Sequence, residues 1–300
     1  MITTETATTG VVVRDGVRIA YETSVADETA GAGGPTILLL PVWAITNRRL
    51  WAAQVQRLSR DHRVITYDGR GSGSSDRPVD PAAHDVRELV ADALAVLDAT
   101  GTDRAVLVGN SLGGLVAYRL AAHHPQRVAG LVLLAASVDL TGDEPSDLQR
   151  AMASFEDVVT GRDGWARYNR HAWARDYPGF VRWFVDTALG AEATDEARAD
   201  GVAAGLDVDP AVLAATLGAR TAVPLPVQAA QLRALADRIS APALVIHGAG
   251  DRIVPPDWGA AQAWLLGAEH CRLAGAGHCP QVTRPDTVAD LISTFTRETS

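Results

Sequence analysis

One serine lies in a setting that can do chemistry. The motif Gly-Asn-Ser-Leu-Gly-Gly at residues 109–114 comes directly after the apolar run Ala105–Val108 and directly before a helical pattern. A serine in such a sharp strand-to-helix turn is held in strained backbone geometry, and the helix N-terminus places partial positive charge beside its hydroxyl. Gly109 and Gly113 leave room for the strand and the helix to approach closely. The pattern predicts that Ser111 is a nucleophile, and an ordinary glycine-rich turn is the alternative.

A serine hydroxyl reacts poorly unless a base accepts its proton, and a third group must fix the tautomer of that base. Asp251 follows a strand-like run that ends at His247, and His278 lies in a glycine-rich loop after the next run. The order serine, acid, histidine along the chain is the order that this strand-turn-helix motif requires. The sequence therefore predicts acyl-transfer chemistry by Ser111, Asp251 and His278. Asp139, just past another strand-like run, is the rival acid.

Apolar runs rich in β-branched residues alternate with helical patterns over most of the chain. Strands are predicted at Val11–Val13, Val17–Glu22, Thr36–Leu40, Arg63–Tyr67, Ala105–Val108, Leu131–Ala135, Ala243–His247 and His270–Leu273, and helices at Arg49–Leu58, His84–Leu97, Leu112–Ala122 and Thr287–Thr296. The first two strands form a hairpin around Asp15 and Gly16. Such alternation is typical of an α/β fold, in which a mainly parallel sheet carries helices on both faces. Ligands bind beyond the carboxyl ends of the strands in these sheets, which is where the three candidate catalytic residues are expected to meet.

Residues 139–235 interrupt this alternation, because they contain helical patterns and no clear strand. We predict that residues 1–138 and 236–300 form the α/β core and that residues 139–235 form a helical cap over the carboxyl edge of the sheet. The segment carries half of the aromatic side chains of the chain. These side chains line an apolar pocket or form the segment's own core. The candidate substrate contacts among them and beside them are Trp165, His171, Trp173 and Trp183.

Five stretches of the sequence carry a family resemblance. They are LLLP followed closely by Trp43, YDGRGSGSSDRP, GNSLGG, VIHGAGDRIVP and GAGHCPQVTRPD. Together they resemble the α/β-hydrolase superfamily over nearly the whole chain, and they look like its capped, single-domain esterases. The resemblance implies a serine hydrolase that cleaves a carboxylic ester through an acyl-enzyme and needs no cofactor. Haloalkane dehalogenases and soluble epoxide hydrolases are similar elsewhere but carry Asp where this chain has Ser111.

The loop after the third predicted strand departs from the family pattern. The family usually has His-Gly-x-Pro there, and the x residue gives one backbone N–H to the oxyanion hole. This chain has Pro-Val-Trp-Ala at residues 41–44, so by register the resemblance assigns the two donors to Trp43 and Leu112. Valine restricts the backbone more than glycine does, and the missing histidine removes a side chain that often braces this loop.

Composition excludes several classes of function. The chain has 300 residues, a formal net charge of −9 and no lysine. An acidic chain repels phosphate backbones, which disfavours nucleic-acid binding, and no basic run suggests an anionic membrane as partner. Schiff-base and pyridoxal phosphate chemistry need a lysine amine, so both are excluded. We therefore expect a small-molecule partner and no cofactor.

The small number of cysteines and the lack of targeting signals further restrict the class of protein. Cys271 and Cys279 cannot build a disulfide scaffold or a four-thiolate metal site, and no cluster has metal-ligand spacing. Residues 1–10 lack the basic and apolar regions of a signal peptide. The longest apolar run, residues 37–45, is too short to span a bilayer. We expect a metal-free, cytoplasmic protein, and the sequence leaves its oligomeric state open.

Several reactions are compatible with the same triad, because the fold alone does not choose among them. Besides a carboxylic ester, the bond could belong to a lactone, a thioester or a carbon–carbon linkage, and the acyl acceptor could differ from water. A second class of protein is a non-catalytic ligand-binding protein that keeps the hydrolase fold as a shell around its ligand. The intact triad disfavours this alternative. Labelling of Ser111 by a fluorophosphonate separates an active hydrolase from such a shell.

Overall fold

One sheet of eight strands forms the centre of residues 6–25, 34–218 and 225–299, which are the residues that the structure, a computed structural model, describes. The strands are β1 (Thr6–Arg14), β2 (Val17–Val25), β3 (Thr36–Leu39), β4 (Val64–Tyr67), β5 (Ala105–Asn110), β6 (Val128–Leu134), β7 (Ala243–Gly248) and β8 (Glu269–Leu273). Their order in the sheet is β1-β2-β4-β3-β5-β6-β7-β8. Every predicted strand falls on one of them, with ends shifted by a few residues.

The sheet is mainly parallel, as predicted. β1 and β2 form an antiparallel hairpin around Asp15 and Gly16, whose φ angles of 52° and 80° suit a tight two-residue turn. β2 pairs antiparallel with β4, and all neighbours from β4 to β8 across the sheet are parallel. The carboxyl ends of β5, β7 and β8 therefore lie at one edge. Ser111, Asp251 and His278 each follow one of these strands.

Helices connect the strands. They are α1 (Ala52–Leu58), α2 (Val86–Ala99), α3 (Leu112–His123), α4 (Asp147–Ala153), α5 (Arg170–Leu189), α6 (Asp195–Leu206), α7 (Pro210–Gly218), α8 (Leu225–Ala236), α9 (Pro256–Leu266), α10 (Pro280–Thr283) and α11 (Pro285–Glu298). The predicted helices correspond to α1, α2, α3 and α11, whereas α9 was not indicated by the sequence patterns. Within the described ranges no single helix is long and apolar enough to cross a membrane. α6 and α7 together have the length and apolar composition of a span, but their axes are bent by 83° relative to each other.

The connection between β6 and β7 is helical and contains no strand in its described residues. We call residues 139–235 the helical segment; residues 219–224 of it lie outside the described part of the chain. α5 is broken at Asp176, whose φ of −154° and ψ of 71° are not helical. The Asp176 carboxylate accepts a hydrogen bond from the N–H of Gly179 at 2.8 Å, and so caps the second half of the helix.

Two apolar layers cover the sheet, one on each face. Successive residues of a strand point to opposite faces. Ile37 and Leu39 therefore pack with α1 and α11, whereas Leu38 packs in the layer formed by α2 and α3. That second layer continues into the helical segment, where it includes Trp173 and Phe180. The helical segment is thus joined to the core of the sheet by continuous apolar packing.

Candidate active site

Ser111 occupies a strained turn between β5 and α3. Its φ of 56° and ψ of −119° belong to a region that costs a residue other than glycine roughly 1–3 kcal/mol. A Cβ atom at Gly109 would lie 2.3 Å from the carbonyl oxygen of Gly113, and one at Gly113 would lie 2.5 Å from that of Pro41. Only glycine fits at either position. The N–H of Ser111 donates to the Leu134 carbonyl at 3.1 Å, which holds the turn against β6.

Asp251 and His278 meet at the carboxyl ends of β7 and β8. His278 Nδ1 lies 2.8 Å from Asp251 Oδ2, and both side chains are buried. The other carboxylate oxygen, Oδ1, accepts hydrogen bonds from the N–H groups of Ile253 and Val254 at 2.7 and 3.0 Å. A neutral imidazole that donates through Nδ1 has its lone pair on Nε2. The geometry therefore makes Nε2 of His278 the atom that can accept a proton.

A second histidine contacts the same carboxylate. His247 Nε2 lies 3.1 Å from Asp251 Oδ2, and the His247 side chain is fully buried at the end of β7. Burial alone would raise the pKa of Asp251, but the charge of His278 and the hydrogen bonds from His247 and His278 hold that pKa well below its ordinary value. Asp251 is therefore an anion that can orient His278 and stabilise its positive form.

Asp139, the rival acid, is engaged in a turn. Its Oδ1 accepts hydrogen bonds from the N–H and the hydroxyl of Thr141 at 2.9 and 2.8 Å, and from the N–H of Gly142 at 3.1 Å. Its Oδ2 accepts one from Gln149 Nε2 at 3.2 Å. No hydrogen bond joins Asp139 to His278 in the described residues. The geometry therefore favours Asp251 as the partner of the histidine.

The hydroxyl of Ser111 faces another serine in this conformation. Its Oγ lies 3.3 Å from Ser137 Oγ, just beyond the end of β6, and the N–H of Ser137 donates to the Ser111 carbonyl at 2.9 Å. Across the described ranges no hydrogen bond joins Ser111 to the ring of His278. Such bonds are often long in unliganded sites and tighten when substrate binds. The three predicted residues thus share one edge of the sheet, with the serine–histidine contact not yet formed.

The loop that carries His278 is anchored on two sides. Asn110 Nδ2 donates to the His278 carbonyl at 3.0 Å, and it also donates to a carbonyl at the end of β6. On the other side, the N–H of His278 donates to the carbonyl of Ala188, near the end of α5, at 2.8 Å. A Cβ atom at Gly277 would lie 2.8 Å from that same Ala188 oxygen, so glycine is required there. The helical segment therefore holds the His278 backbone directly.

The two predicted oxyanion donors lie on adjoining stretches of chain. Trp43 follows β3 and Leu112 begins α3. In the part of the chain that the structure describes, neither backbone N–H donates to a protein acceptor. The close approach of Gly113 to Pro41 brings the two stretches together. Two unpaired N–H groups in such a place can bind the oxygen of a tetrahedral intermediate.

The four predicted substrate contacts lie within the helical segment. Trp165 and Trp183 are half-buried and pack edge to face, with ring centres 5.2 Å apart. Trp173 is buried, and its ring centre lies 4.5 Å from that of Phe180. His171 Nε2 lies 3.3 Å from a backbone carbonyl oxygen of the same segment. All these contacts are internal to the helical segment.

The site is closed in this conformation. Ser111 is 8% exposed and His278 is 3% exposed. A cavity of about 30 Å³, enough for one or two water molecules, lies beside Trp43 and Leu112. A groove of about 670 Å³ runs beside Arg48, and neither Ser111 nor His278 lines it. Little of Ser111 or His278 is therefore in contact with solvent.

The two cysteine thiols are poor nucleophiles at neutral pH. Burial and the nearby charge of Asp251 raise the pKa of the Cys279 thiol to about 12, so this neighbour of His278 is protonated and unreactive at neutral pH. Burial and Glu269 raise the pKa of Cys271 to about 11. Among the described residues no group of three or more His, Cys, Asp or Glu side chains is placed to hold a metal ion.

Several contacts of the site were not indicated by the sequence patterns. Asn110 and Ser137 could have been found, because one precedes Ser111 and the other follows β6 at the same edge of the sheet. The sequence patterns did not reveal that His247, at the end of β7, contacts Asp251. The rings of Tyr168 and Phe184 contact that of Trp43, and no local signal identifies such a pairing.

Comparisons with known proteins agree on one family. A family model described as the alpha/beta hydrolase fold matches residues 33–285. A 2-hydroxymuconate semialdehyde hydrolase from Pseudomonas sp. (strain CF600) is 30% identical over 291 residues, which cover 90% of this chain and 89% of the relative. A protein named as a carbamate hydrolase, from Variovorax paradoxus (strain S110), is 46% identical over 85 residues. This aligned stretch covers 28% of this chain and only 32% of the length of that relative. The solved structure of Est816, described as an N-acyl homoserine lactone degrading enzyme, aligns with a TM-score of 0.74 and 29% identity over 95% of this chain and 100% of that one.

Proposed function

Because the chain belongs to the α/β-hydrolase family, we propose that it is a serine hydrolase that cleaves a carboxylic ester of a small, mostly apolar molecule through an acyl-enzyme intermediate. The observation that carries this proposal is the buried contact of 2.8 Å between Asp251 Oδ2 and His278 Nδ1. It lies at the same sheet edge as the strained turn of Ser111. A buried carboxylate that orients an imidazole beside such a serine can activate the hydroxyl for attack.

In the proposed reaction, Ser111 Oγ turns from Ser137 towards His278 and attacks the ester carbonyl carbon. His278 Nε2 takes the hydroxyl proton, and the carbonyl oxygen becomes an oxyanion bound by the N–H groups of Trp43 and Leu112. One such donor contributes about 3–4 kcal/mol. His278 then gives its proton to the departing alkoxide, which leaves as the alcohol. A water molecule gives a proton to His278 and attacks the acyl carbon, and Ser111 recovers that proton as the acid leaves.

The surroundings of the proposed oxyanion hole support an apolar substrate. The rings of Trp43, Tyr168 and Phe184 pack together beside it. Large ligand surfaces are recognised mainly by such apolar and aromatic side chains. A lactone is a cyclic ester, so the relation to Est816, described as a lactone-degrading enzyme, falls within the same proposed class of substrate.

A carbon–carbon hydrolase is the second candidate. The 2-hydroxymuconate semialdehyde hydrolase aligns over 90% of this chain, and an activated serine with an oxyanion hole can also attack a ketone carbonyl. Parallel assays with p-nitrophenyl esters, lactones and 2-hydroxymuconate semialdehyde distinguish the two candidates. The specificity constant, kcat/KM, should be highest for an ester or a lactone.

Ser111→Ala tests the proposal. We expect the variant to fold normally and to lose ester hydrolysis by several orders of magnitude, because triad members act as a unit. A fluorophosphonate should label the wild type and not this variant. Ser137→Ala is the control, since it removes the neighbouring hydroxyl and should still be labelled.

Near-normal turnover by Ser111→Ala would remove Ser111 as the nucleophile. A wild type that is neither labelled by the fluorophosphonate nor active on any ester, lactone or carbon–carbon substrate would instead support a ligand-binding shell.

A further inference from the structure

The indole of Trp43 is hydrogen-bonded to the helical segment. Its Nε1 donates to Thr216 Oγ1, on α7, at 2.7 Å. Both residues are buried, with 8% and 3% of their surface exposed. The hydroxyl of Thr216 donates in turn to the carbonyl of Leu213 at 2.7 Å, so its only proton is used and a lone pair faces the indole. The direction of both hydrogen bonds is therefore fixed.

Two aromatic rings hold the plane of the same indole. Tyr168 stacks on it, with ring centres 5.7 Å apart and 27° between the planes, and Phe184 meets it edge-on at 5.3 Å. Pairs of this kind contribute about 0.5–1.5 kcal/mol each beyond the area that they bury. The Trp43 side chain is thus held at its polar edge and at its ring by residues of the helical segment.

The backbone of Trp43 is bound on its carbonyl side. The N–H and the hydroxyl of Thr46 both donate to the Trp43 carbonyl, at 2.9 and 3.1 Å. The N–H of Trp43 has no protein acceptor within the described ranges, and the start of α3 lies beside it because Gly113 approaches Pro41. The side chain and the carbonyl are therefore fixed, and the N–H is available to a ligand oxygen.

We infer that Thr216 is a positioning residue for the oxyanion hole: through the Trp43 indole it fixes the direction of the Trp43 backbone N–H. This inference rests on the proposed function, because it concerns a donor that the proposed reaction needs. It gives the helical segment a part in stabilising the transition state as well as covering the site. It also explains how the loop holds its shape with Pro41 and Val42 in place of the family's histidine and glycine.

Thr216→Val removes the acceptor with little change in side-chain volume. We expect kcat/KM for p-nitrophenyl butyrate to fall about 10- to 100-fold, because a displacement of about 1 Å can cost about 100-fold in rate. The loss should appear in kcat, since the ground-state ester uses the donor less than the transition state does. Thr216→Ser keeps the hydroxyl and should recover most of the activity.

Inhibition by a trifluoromethyl ketone reports directly on how well the Trp43 N–H binds an oxyanion. Ser111 Oγ adds to its carbonyl carbon, the proton passes to His278, and the carbonyl oxygen becomes the oxyanion. Its inhibition constant should weaken in Thr216→Val by the same factor as kcat/KM, whereas binding of p-nitrophenol, the product that has no acyl oxygen for these donors, should not change. Thr187→Val is the matched control: its buried hydroxyl donates within α5 to the Trp183 carbonyl at 2.7 Å, and both measurements should stay at the wild-type value.

Wild-type kcat and ketone affinity in Thr216→Val would overturn the inference, and so would a loss confined to KM. If Thr216→Val does not fold, Trp43→Phe decides by the same two measurements, because it removes the donor of the same hydrogen bond and keeps an aromatic ring. Fluorophosphonate labelling of Ser111 in the wild type is measured first. Failure of the proposed function appears there as absent labelling, whereas failure of the inference appears only in the variants.

Discussion

At the scale of single residues, two carboxylates are candidates for the catalytic acid. From the sequence alone, Asp251 and Asp139 both follow strands at the correct edge of the sheet. Their contacts differ: Asp251 binds the rings of His278 and His247, whereas Asp139 binds groups of its own turn. The low pKa of Asp251 depends on those histidine contacts, so its charge is directed at the proposed base.

Asp251→Asn should lower kcat by about 10³–10⁴-fold, because the amide no longer holds His278 in the required tautomer. Asp139→Asn removes a negative charge at a comparable strand end and should cost much less. Initial rates with a p-nitrophenyl ester, together with melting temperatures for both variants, measure the difference. Equal costs, or a larger loss in Asp139→Asn, would show that the acid is assigned to the wrong carboxylate.

At the scale of elements, the aromatic side chains of the helical segment differ in how deeply they are buried, and the more deeply buried ones should contribute more to stability. Trp173→Ala should lower the free energy of unfolding by about 3–5 kcal/mol, because it empties a buried site beside Phe180. Trp183→Ala should cost less, since Trp183 is half-buried. Urea denaturation measures both, and Trp264→Ala, at a residue that is 83% exposed, is the control with little expected effect.

A smaller loss in Trp173→Ala than in Trp183→Ala would mean that Trp173 does not belong to the core of the segment. A change in substrate preference in Trp183→Ala, at nearly unchanged stability, would support the prediction that Trp183 contacts substrate.

The strands were predictable from sequence because buried parallel strands are short, continuous apolar runs. The order of Ser111, Asp251 and His278 along those strands followed from the same runs. α9 was missed because its buried residues include Gly259 and Gln262, which interrupt an apolar period. The hydrogen bond between Trp43 and Thr216 joins residues far apart in the chain, so no local pattern could predict it.

The whole molecule encloses its proposed catalytic residues. The helical segment shares a continuous apolar core with the sheet, and little of Ser111 or His278 reaches the surface. The space beside the proposed oxyanion donors is about 30 Å³. We expect an acyl group to bind between the sheet edge and the helical segment, and the packing of the two should limit its length.

We expect kcat/KM to rise from acetyl to medium-length p-nitrophenyl esters and then to fall. Each matching methylene contributes about 0.8 kcal/mol, or roughly fourfold, until the available space is filled. Long triglycerides should be poor substrates, because they need an exposed apolar surface. Stopped assays over an acetyl-to-dodecanoyl series measure this, with triolein as the comparison. A kcat/KM that does not change along the series would show that the enclosed site does not select substrates by acyl length.

The hydrogen bond from the His278 N–H to the Ala188 carbonyl restricts how the molecule can open. A movement that lifted the end of α5 would pull the proposed base away from Asp251, so an open form that keeps its base in place must leave this end of the helix where it is. The break at Asp176 divides α5 into a half that ends at the His278 loop and a half that carries the buried Trp173. If the segment opens only on the side of the break that precedes Asp176, a substrate can enter while His278 keeps its place beside Asp251.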